Sequence, residues 1–166
     1  MIGSGAREHA IIHTLLQDMS VTAVYAAPGN AGIAQIVETF PLEITDATAT
    51  LNLSKDLNVD LVVIGPEIPL AHGVADVLRA EGFLVFGPNK AAAQIESSKS
   101  FAKDVMMVAG VETAKWFDCK TIEEVEAAVD TFTSPYVVKD DSLAAGKGVV
   151  VTEDRDLALA HAKACL

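Results

Sequence analysis

Apolar and polar positions along this chain follow two periods, and the points where the period changes mark out the elements. Residues 6–17 (AREHAIIHTLLQ) carry Ala10, Ile11, Leu15 and Leu16 at helical spacing. Val21 to Ala26 reads as a strand running into the turn Pro28-Gly29-Asn30-Ala31-Gly32. Asp46 is a good N-cap for a helix reaching about Leu57. Residues 59–64 (VDLVVI) are nearly all apolar, as a strand buried in a parallel sheet requires, and the run stops at Gly65-Pro66-Glu67. The spacing then predicts a helix over 71–81 and a strand over 83–86, ended by Gly87-Pro88. Strand, helix, strand, helix, strand in this order predicts an α/β fold with a doubly wound, Rossmann-like parallel sheet.

The pattern changes in the second half. A helix-rich stretch from Lys90 to about Ala109 is broken near Glu96 to Ser98, and Lys115 to Asp118 reads as a short extended piece. Thr121 caps a helix to about Phe132, with Glu123 and Glu124 in the first turn, where negative charge suits the helix dipole. A hairpin follows, and Asp154 opens a last helix ending in Cys165. These features place a boundary near Val111 to Ala114, giving a domain over 1–113 that includes a helical linker and a smaller unit over 114–166. Met1-Ile2 stands directly before a glycine turn. The first strand of a doubly wound sheet is central, so the reading expects a truncated first strand that exposes its neighbours' backbone. Two strands and two helices after the boundary are too few to bury a core alone.

Composition narrows the function. Of 166 residues, 51% are hydrophobic, enough for a proper core, and 23 acids against 12 bases give a net charge of −11. Nucleic acid and anionic membranes both want a basic surface, so neither is expected as a partner. No apolar run approaches the ~20 residues that span a bilayer. The amino terminus lacks a basic, then apolar, export pattern, so a cytoplasmic location is expected. Cys119 and Cys165 show neither metal-ligand spacing nor a disulfide framework, and reduced thiols are the default. His9 and His13 share a helix face, but no acid or cysteine completes a metal site there. Oligomeric state is not encoded in any of these features.

Residues 136–151 (YVVKDDSLAAGKGVVV) carry the first candidate chemistry. They do not form a P-loop: Asp141 stands where the first glycine belongs, and Lys147 is followed by Gly148 rather than a hydroxyl residue. The flanking β-branched runs and the turn residues Asp141, Ser142, Gly146 and Gly148 predict a β-hairpin. A glycine-rich hairpin can fold over phosphates, because backbone without Cβ approaches closely and aims N–H groups at oxygen. Lys139 and Lys147 would add charge to the same anion. An ordinary hairpin with solvated lysines fits the same residues.

Open α/β sheets bind ligands beyond the carboxyl ends of their strands, so the turns there carry the second candidate site. Three qualify: residues 3–9 (GSGAREH), Pro28 to Gly32, and Gly65-Pro66-Glu67. The first opens a helix, whose N–H groups and dipole favour phosphate, and Arg7 can add a charged fork. It departs from the dinucleotide fingerprint, with Glu8 in place of the third glycine. A packing role for these glycines, and a solvated loop position for Glu67, are the plain alternatives.

GSGAREHA, APGNAG, DLVVIGPEIPL, FGPNKAAAQIESSKSFAK and VVKDDSLAAGKGVVV, in this order and spacing, closely resemble the phosphoribosylamine–glycine ligase (glycinamide ribonucleotide synthetase) family of purine biosynthesis, in the ATP-grasp superfamily. The resemblance covers essentially all 166 residues. It implies an ATP-dependent ligase that joins glycine to 5-phosphoribosylamine through a glycyl phosphate, with ATP and Mg2+ as cofactors. It implies a pre-ATP-grasp domain followed by part of an ATP-grasp lid. By match to the family's motifs, Lys99, Lys139, Gly146, Lys147 and Gly148 are the expected ATP-binding residues. Gly3, Gly5, Arg7, Glu8, Asn30, Gly32 and Glu67 are the expected substrate-binding residues. Charge divides the latter, assigning phosphate to Gly3, Gly5 and Arg7, and sugar or amine contacts to Glu67 and Asn30.

The resemblance also implies what to look for elsewhere. The magnesium carboxylates and much of the adenine and glycine sites are expected beyond Leu166, with no catalytic or metal-binding residue assigned here and the chain alone expected to be inactive. Ser142 replaces the family's usual glycine in K-x-D-G-L-A, a cost of roughly 1 kcal/mol if the position needs positive φ. The competing readings are another ATP-grasp enzyme, such as a biotin-carboxylase-like or other purine-pathway ligase, and a non-catalytic α/β module that binds a nucleotide or a protein.

Overall fold

The structure is a computed structural model and describes residues 1–143 and 148–166. The chain forms two compact units, Met1–Gln94 and Ile95–Leu166. The sequence-based division near residue 113 grouped the helices after Ile95 with the first unit. They group with the second because their polar ends bond to its hairpin: Ser98, Lys99 and Ser100 all contact Asp141 or Ser142.

In the first unit, β1 (Ile2–Gly3), β2 (Tyr25–Pro28) and β3 (Glu38–Thr39) pair in parallel, as do β4 (Leu61–Val63) and β5 (Leu84–Phe86). A parallel bridge between Ile2 and Ile64 joins the two groups, giving the order β3-β2-β1-β4-β5. Helix α1 (Ala6–Leu15) covers one face, where Ile12 packs with Ala26 and Ile33. Helices α2 (Ala47–Asp56), α3 (Glu67–Ala71) and α4 (Val74–Ala80) carry the other, where Leu70, Val74 and Leu78 pack against Ile2, Ala27, Val62 and Ile64. Ala26 and Ala27 face opposite ways, as successive strand residues must. Helices on both faces of a parallel sheet make the doubly wound fold that the alternating pattern predicted.

Several boundaries moved. The buried stripe of α1 is Glu8 and Ile12, not Ala10 to Leu16, and Leu16 is exposed. Strand β2 starts at Tyr25 rather than Val21, and the helix expected over 71–81 is split at Gly73, whose φ of 84° suits glycine. Strand β3 and a 3-10 turn at Ile33–Gln35 escaped the sequence reading because both are too short to show a period. A cavity of about 470 Å3 opens beside the amino ends of β1, β2 and β4, lined by Val21, Tyr25, Leu53, Leu57 and Leu61 among others.

The division between the units falls inside α5 (Lys90–Ser97). In the second unit α6 (Lys99–Val108) and α7 (Ile122–Val129) precede an antiparallel hairpin of β6 (Tyr136–Lys139) and β7 (Val149–Thr152), and α8 (Arg155–Cys165) closes it. Residues 115–118, expected to be extended, form no regular element. Val125, Val129 and Ala162 make the core, with Tyr136, Val138 and Leu159 packed on it. Asp46, Thr121 and Asp154 cap α2, α7 and α8 as predicted, each side chain accepting an N–H from the first turn. Among the described residues no helix is long and apolar enough to cross a membrane.

Candidate functional site

Parallel strands point their carboxyl ends the same way, so the turns after β1, β2 and β4 gather at one end of the sheet. They bring together all seven residues named there from the sequence. Asn30 joins two of the turns. Its Nδ2 donates to the Ser4 carbonyl at 2.7 Å, while its Oδ1 accepts the N–H groups of Gly32 and Ile33 at 2.8 and 2.9 Å. Its oxygen is therefore committed within the chain. Gly32 lies against the His9 ring, which a Cβ there would approach to 2.9 Å.

Arg7 and Glu67 link the first turn to the third. Arg7 Nη1 donates to Glu67 Oε1 at 3.0 Å, and Arg7 Nε donates to Glu8 Oε1 at 3.2 Å. The hydrogen bond from Arg7, aided by the backbone N–H at position 67 and opposed by partial burial, holds the Glu67 carboxyl below its ordinary range. Glu67, and then Glu8, push the Arg7 guanidinium up. The Arg7 and Glu67 side chains remain 56% and 41% exposed, so both can meet a ligand.

Glu8 behaves differently. It is only 3% exposed, and its Oε2 accepts the Gly5 N–H at 2.6 Å. Gly5 therefore spends on the chain's own carboxylate the N–H that the sequence reading reserved for phosphate, and Glu8 lies beneath the turn, out of reach of solvent. No property of the isolated segment reveals this, because a glutamate in a first helical turn is usually solvated.

In the second unit, Lys99 is the first residue of α6, and its Nζ donates to the Ser142 carbonyl at 2.8 Å. Lys139 ends β6 on the outer face of the hairpin, opposite Val149. Lys99 is thus bonded to the segment that Lys139 leads into. Gly148 closes it by accepting the Asp140 N–H at 2.7 Å. Gly146 and Lys147 lie outside the described residues. The sequence reading took Asp141 only as a turn residue, but it anchors this arrangement: its carboxylate accepts the Ser100 N–H at 2.6 Å and the Ser98 hydroxyl at 2.9 Å. Burial works against its charge, but these bonds outweigh it and hold the carboxyl below its ordinary range. Missed too was the outer face of the hairpin, where Val137, Val149 and Val151 are 54%, 40% and 64% exposed beside Lys139. Period-2 alternation was its only sequence signal, and the consecutive valines, two in β6 and three in β7, obscured it.

Ser142 does not strain the turn. Among the described residues the non-glycine with positive φ is Asn58, and both the N–H and the hydroxyl of Ser142 donate to Asp140 Oδ1 at 2.8 Å. The left-handed penalty considered for this position does not arise. Among the described residues no three His, Cys, Asp or Glu side chains are grouped to hold a metal ion, and Asp140 and Asp141 are already engaged by serines.

The model of the phosphoribosylglycinamide synthetase N domain matches residues 1–96, and that of its ATP-grasp (A) domain matches residues 97–166. The phosphoribosylamine–glycine ligase of Streptomyces coelicolor is 54% identical over 165 residues, covering 99% of this chain and 40% of the relative. The crystal structure of the Thermotoga maritima phosphoribosylamine–glycine ligase superposes with a TM-score of 0.73 at 32% identity, covering 96% of this chain and 37% of that one. An ADP complex of N5-carboxyaminoimidazole synthetase from Staphylococcus aureus shares the fold, with a TM-score of 0.79 at 19% identity over 99% of this chain and 43% of that one. The chain thus spans about two fifths of the length of the curated relatives it matches. With both of its units matched by successive domains of one enzyme, the chain belongs to the phosphoribosylglycinamide synthetase family.

Proposed function

We propose that the whole protein is an ATP-dependent carbon–nitrogen ligase of the cytoplasm that joins the glycine carboxylate to the amine of 5-phosphoribosylamine. Its family membership carries this reading. A carboxylate is a poor electrophile. Transfer of the ATP γ-phosphoryl group to it gives glycyl phosphate and ADP; the amine then attacks the acyl carbon, and the C–O bond to phosphate breaks as the amide forms. Phosphoryl transfer depends mainly on positioning and charge neutralisation, so cations and N–H groups matter more than a nucleophilic side chain.

In this reading Lys99 and Lys139 bring positive charge to the ATP phosphates, with Gly146, Lys147 and Gly148 as the loop that covers them. Release of Lys99 from the Ser142 carbonyl makes its ammonium available to phosphate. The apolar outer face of β6 and β7 suits the underside of a purine, and an enzyme of the same fold has been crystallised with ADP. Glu67 takes the amine or a ribose hydroxyl, since Arg7 keeps it ionised and both remain accessible. Arg7, with the turn at Gly3, faces the phosphate. Asn30 and Gly32 hold the second turn beside the first. The described residues do not fit Mg2+ by themselves, so no step here depends on a metal held by this chain.

Two measurements test the proposal. The protein extended to the length of its relatives should release ADP only when glycine and 5-phosphoribosylamine are both supplied, whereas the 166-residue chain should release none above a no-enzyme control. The chain alone should still bind ATP and ribose 5-phosphate by calorimetry. Binding of neither would favour a protein-interaction module.

A further inference from the structure

We propose that Glu8 is a positioning residue whose buried carboxylate sets the Arg7 fork that faces the substrate. Three glycines make room for it. A Cβ on Gly3 would lie 2.7 Å from Glu8 Cγ, one on Gly5 would lie 2.6 Å from Oε2, and one on Gly65 would collide with the same carboxylate. Gly3 ends β1, Gly5 lies in the turn after it and Gly65 in the turn after β4, so the strand ends of two different segments are stripped of side chains around one carboxylate.

Helix capping alone does not account for this. A side chain three residues into a helix often reaches back to the N-cap N–H, and Glu8 does so to Gly5. A glutamine would make that bond equally well without burying a charge, and a buried charge is costly unless it is paired. The remaining oxygen shows where the charge is used: it accepts from Arg7 Nε, while Nη1 of the same guanidinium reaches Glu67. Arg7 is more than half exposed and would otherwise sample many rotamers. Two carboxylates at two of its nitrogens, Nε and Nη1, hold the plane of the guanidinium. Arginine suits this task because its donors form a rigid fork. Glu8 therefore acts on the substrate through Arg7 and the Gly5 turn, without touching it.

The identity of the substrate rests on the function proposed above; the Glu8–Arg7 geometry does not. The test compares the 166-residue chain with its Glu8→Gln and Gly65→Ala variants. Glu8→Gln keeps the volume but turns an NH2 toward one of two donors. Gly65→Ala displaces the carboxylate while leaving it chemically intact. Three readings are taken: calorimetric affinity for ribose 5-phosphate, affinity for ATP, and exchange of the Arg7 Nε–H proton by NMR. Both variants should weaken ribose 5-phosphate binding about tenfold or more, as expected for loss of a preorganised charged contact. ATP affinity and the far-UV circular dichroism spectrum should stay unchanged. The Arg7 Nε–H signal should exchange slowly in the wild type and quickly in both variants. Unchanged ribose 5-phosphate affinity in Glu8→Gln, or equally fast Nε–H exchange in wild type and variant, overturns the proposal. If the wild type binds no ribose 5-phosphate, the substrate reading of this site fails, and the exchange measurement still decides the role of Glu8. Should a variant fail to fold, fast Nε–H exchange in the wild type is sufficient to reject it.

Discussion

The Asp141 carboxylate accepts the backbone N–H of Ser100 at 2.6 Å, across 41 positions of sequence. One side chain thereby ties the hairpin connection to the start of α6, and so holds Lys99 beside the segment it serves. Ser98 adds its hydroxyl to the same carboxylate and caps the helix by accepting the Phe101 N–H at 3.1 Å.

Because the folded state holds the Asp141 carboxyl below its ordinary value, its contribution to stability is complete above the unfolded pKa, about 3.9. That contribution is lost as pH falls through the lower folded pKa. Asp141→Asn should therefore destabilise the protein at pH 7 by about 1–2 kcal/mol, the scale of a charge-assisted hydrogen bond. Thermal unfolding of both proteins from pH 7 to pH 3 checks this; the gap between them should narrow below about pH 4. A gap independent of pH would mean that the carboxylate's charge is not what holds the join.

Lys99→Met and Lys139→Met should each weaken ATP binding about tenfold, the loss of one charged contact to phosphate. Neither should change the circular dichroism spectrum, since Lys139 is exposed and Lys99 bonds a carbonyl that can turn to solvent. Calorimetry with ATP and with adenosine separates the cases, because adenosine lacks the phosphates and its affinity should not respond.

Restoring glycine at position 142 should not stabilise the turn. Ser142→Gly removes the hydroxyl bond to Asp140 and adds backbone freedom to the unfolded chain, so a loss of about 0.5–1 kcal/mol is expected. Chemical denaturation of the two proteins provides the comparison. A more stable glycine variant would show that serine is strained there after all.

Asn30→Asp keeps the oxygen that accepts from Gly32 and Ile33 but sets a second oxygen against the Ser4 carbonyl in place of a donor. Stability should fall by about 1 kcal/mol or more at pH 7. Affinity for ribose 5-phosphate should fall with it, because the first two turns lose their tie. Measuring both in Asn30→Asp and in Asn30→Ala distinguishes repulsion from simple loss of the bond: Asp should be the worse.

Much of the architecture was legible in the linear chain because its causes are local. The apolar run of residues 59–64 marks a parallel strand wherever it is placed, and Asp46, Thr121 and Asp154 cap their helices through bonds to residues two or three positions away. The order of strands and helices then leaves few topologies, and the turns that gather at one end of the sheet follow from strand direction alone. The seven turn residues lie together for that reason.

What remained hidden depends on groups distant in sequence. Whether a glutamate in a first helical turn is solvated or buried is decided by Gly65, which stands 57 positions from Glu8 and has no side chain to exclude it. The partner that a lysine or arginine finds is likewise set by the approach of another segment: Ser142 for Lys99 and Glu67 for Arg7, at separations of 43 and 60 residues. Periodicity and capping are encoded in neighbours, so the sequence by itself determined most of the elements, their order and the end of the sheet at which the glycine turns gather. Desolvation and ion pairing act between segments that only the fold brings together. For that reason the tertiary structure alone decided which of the charged residues meet solvent and which are held by the chain.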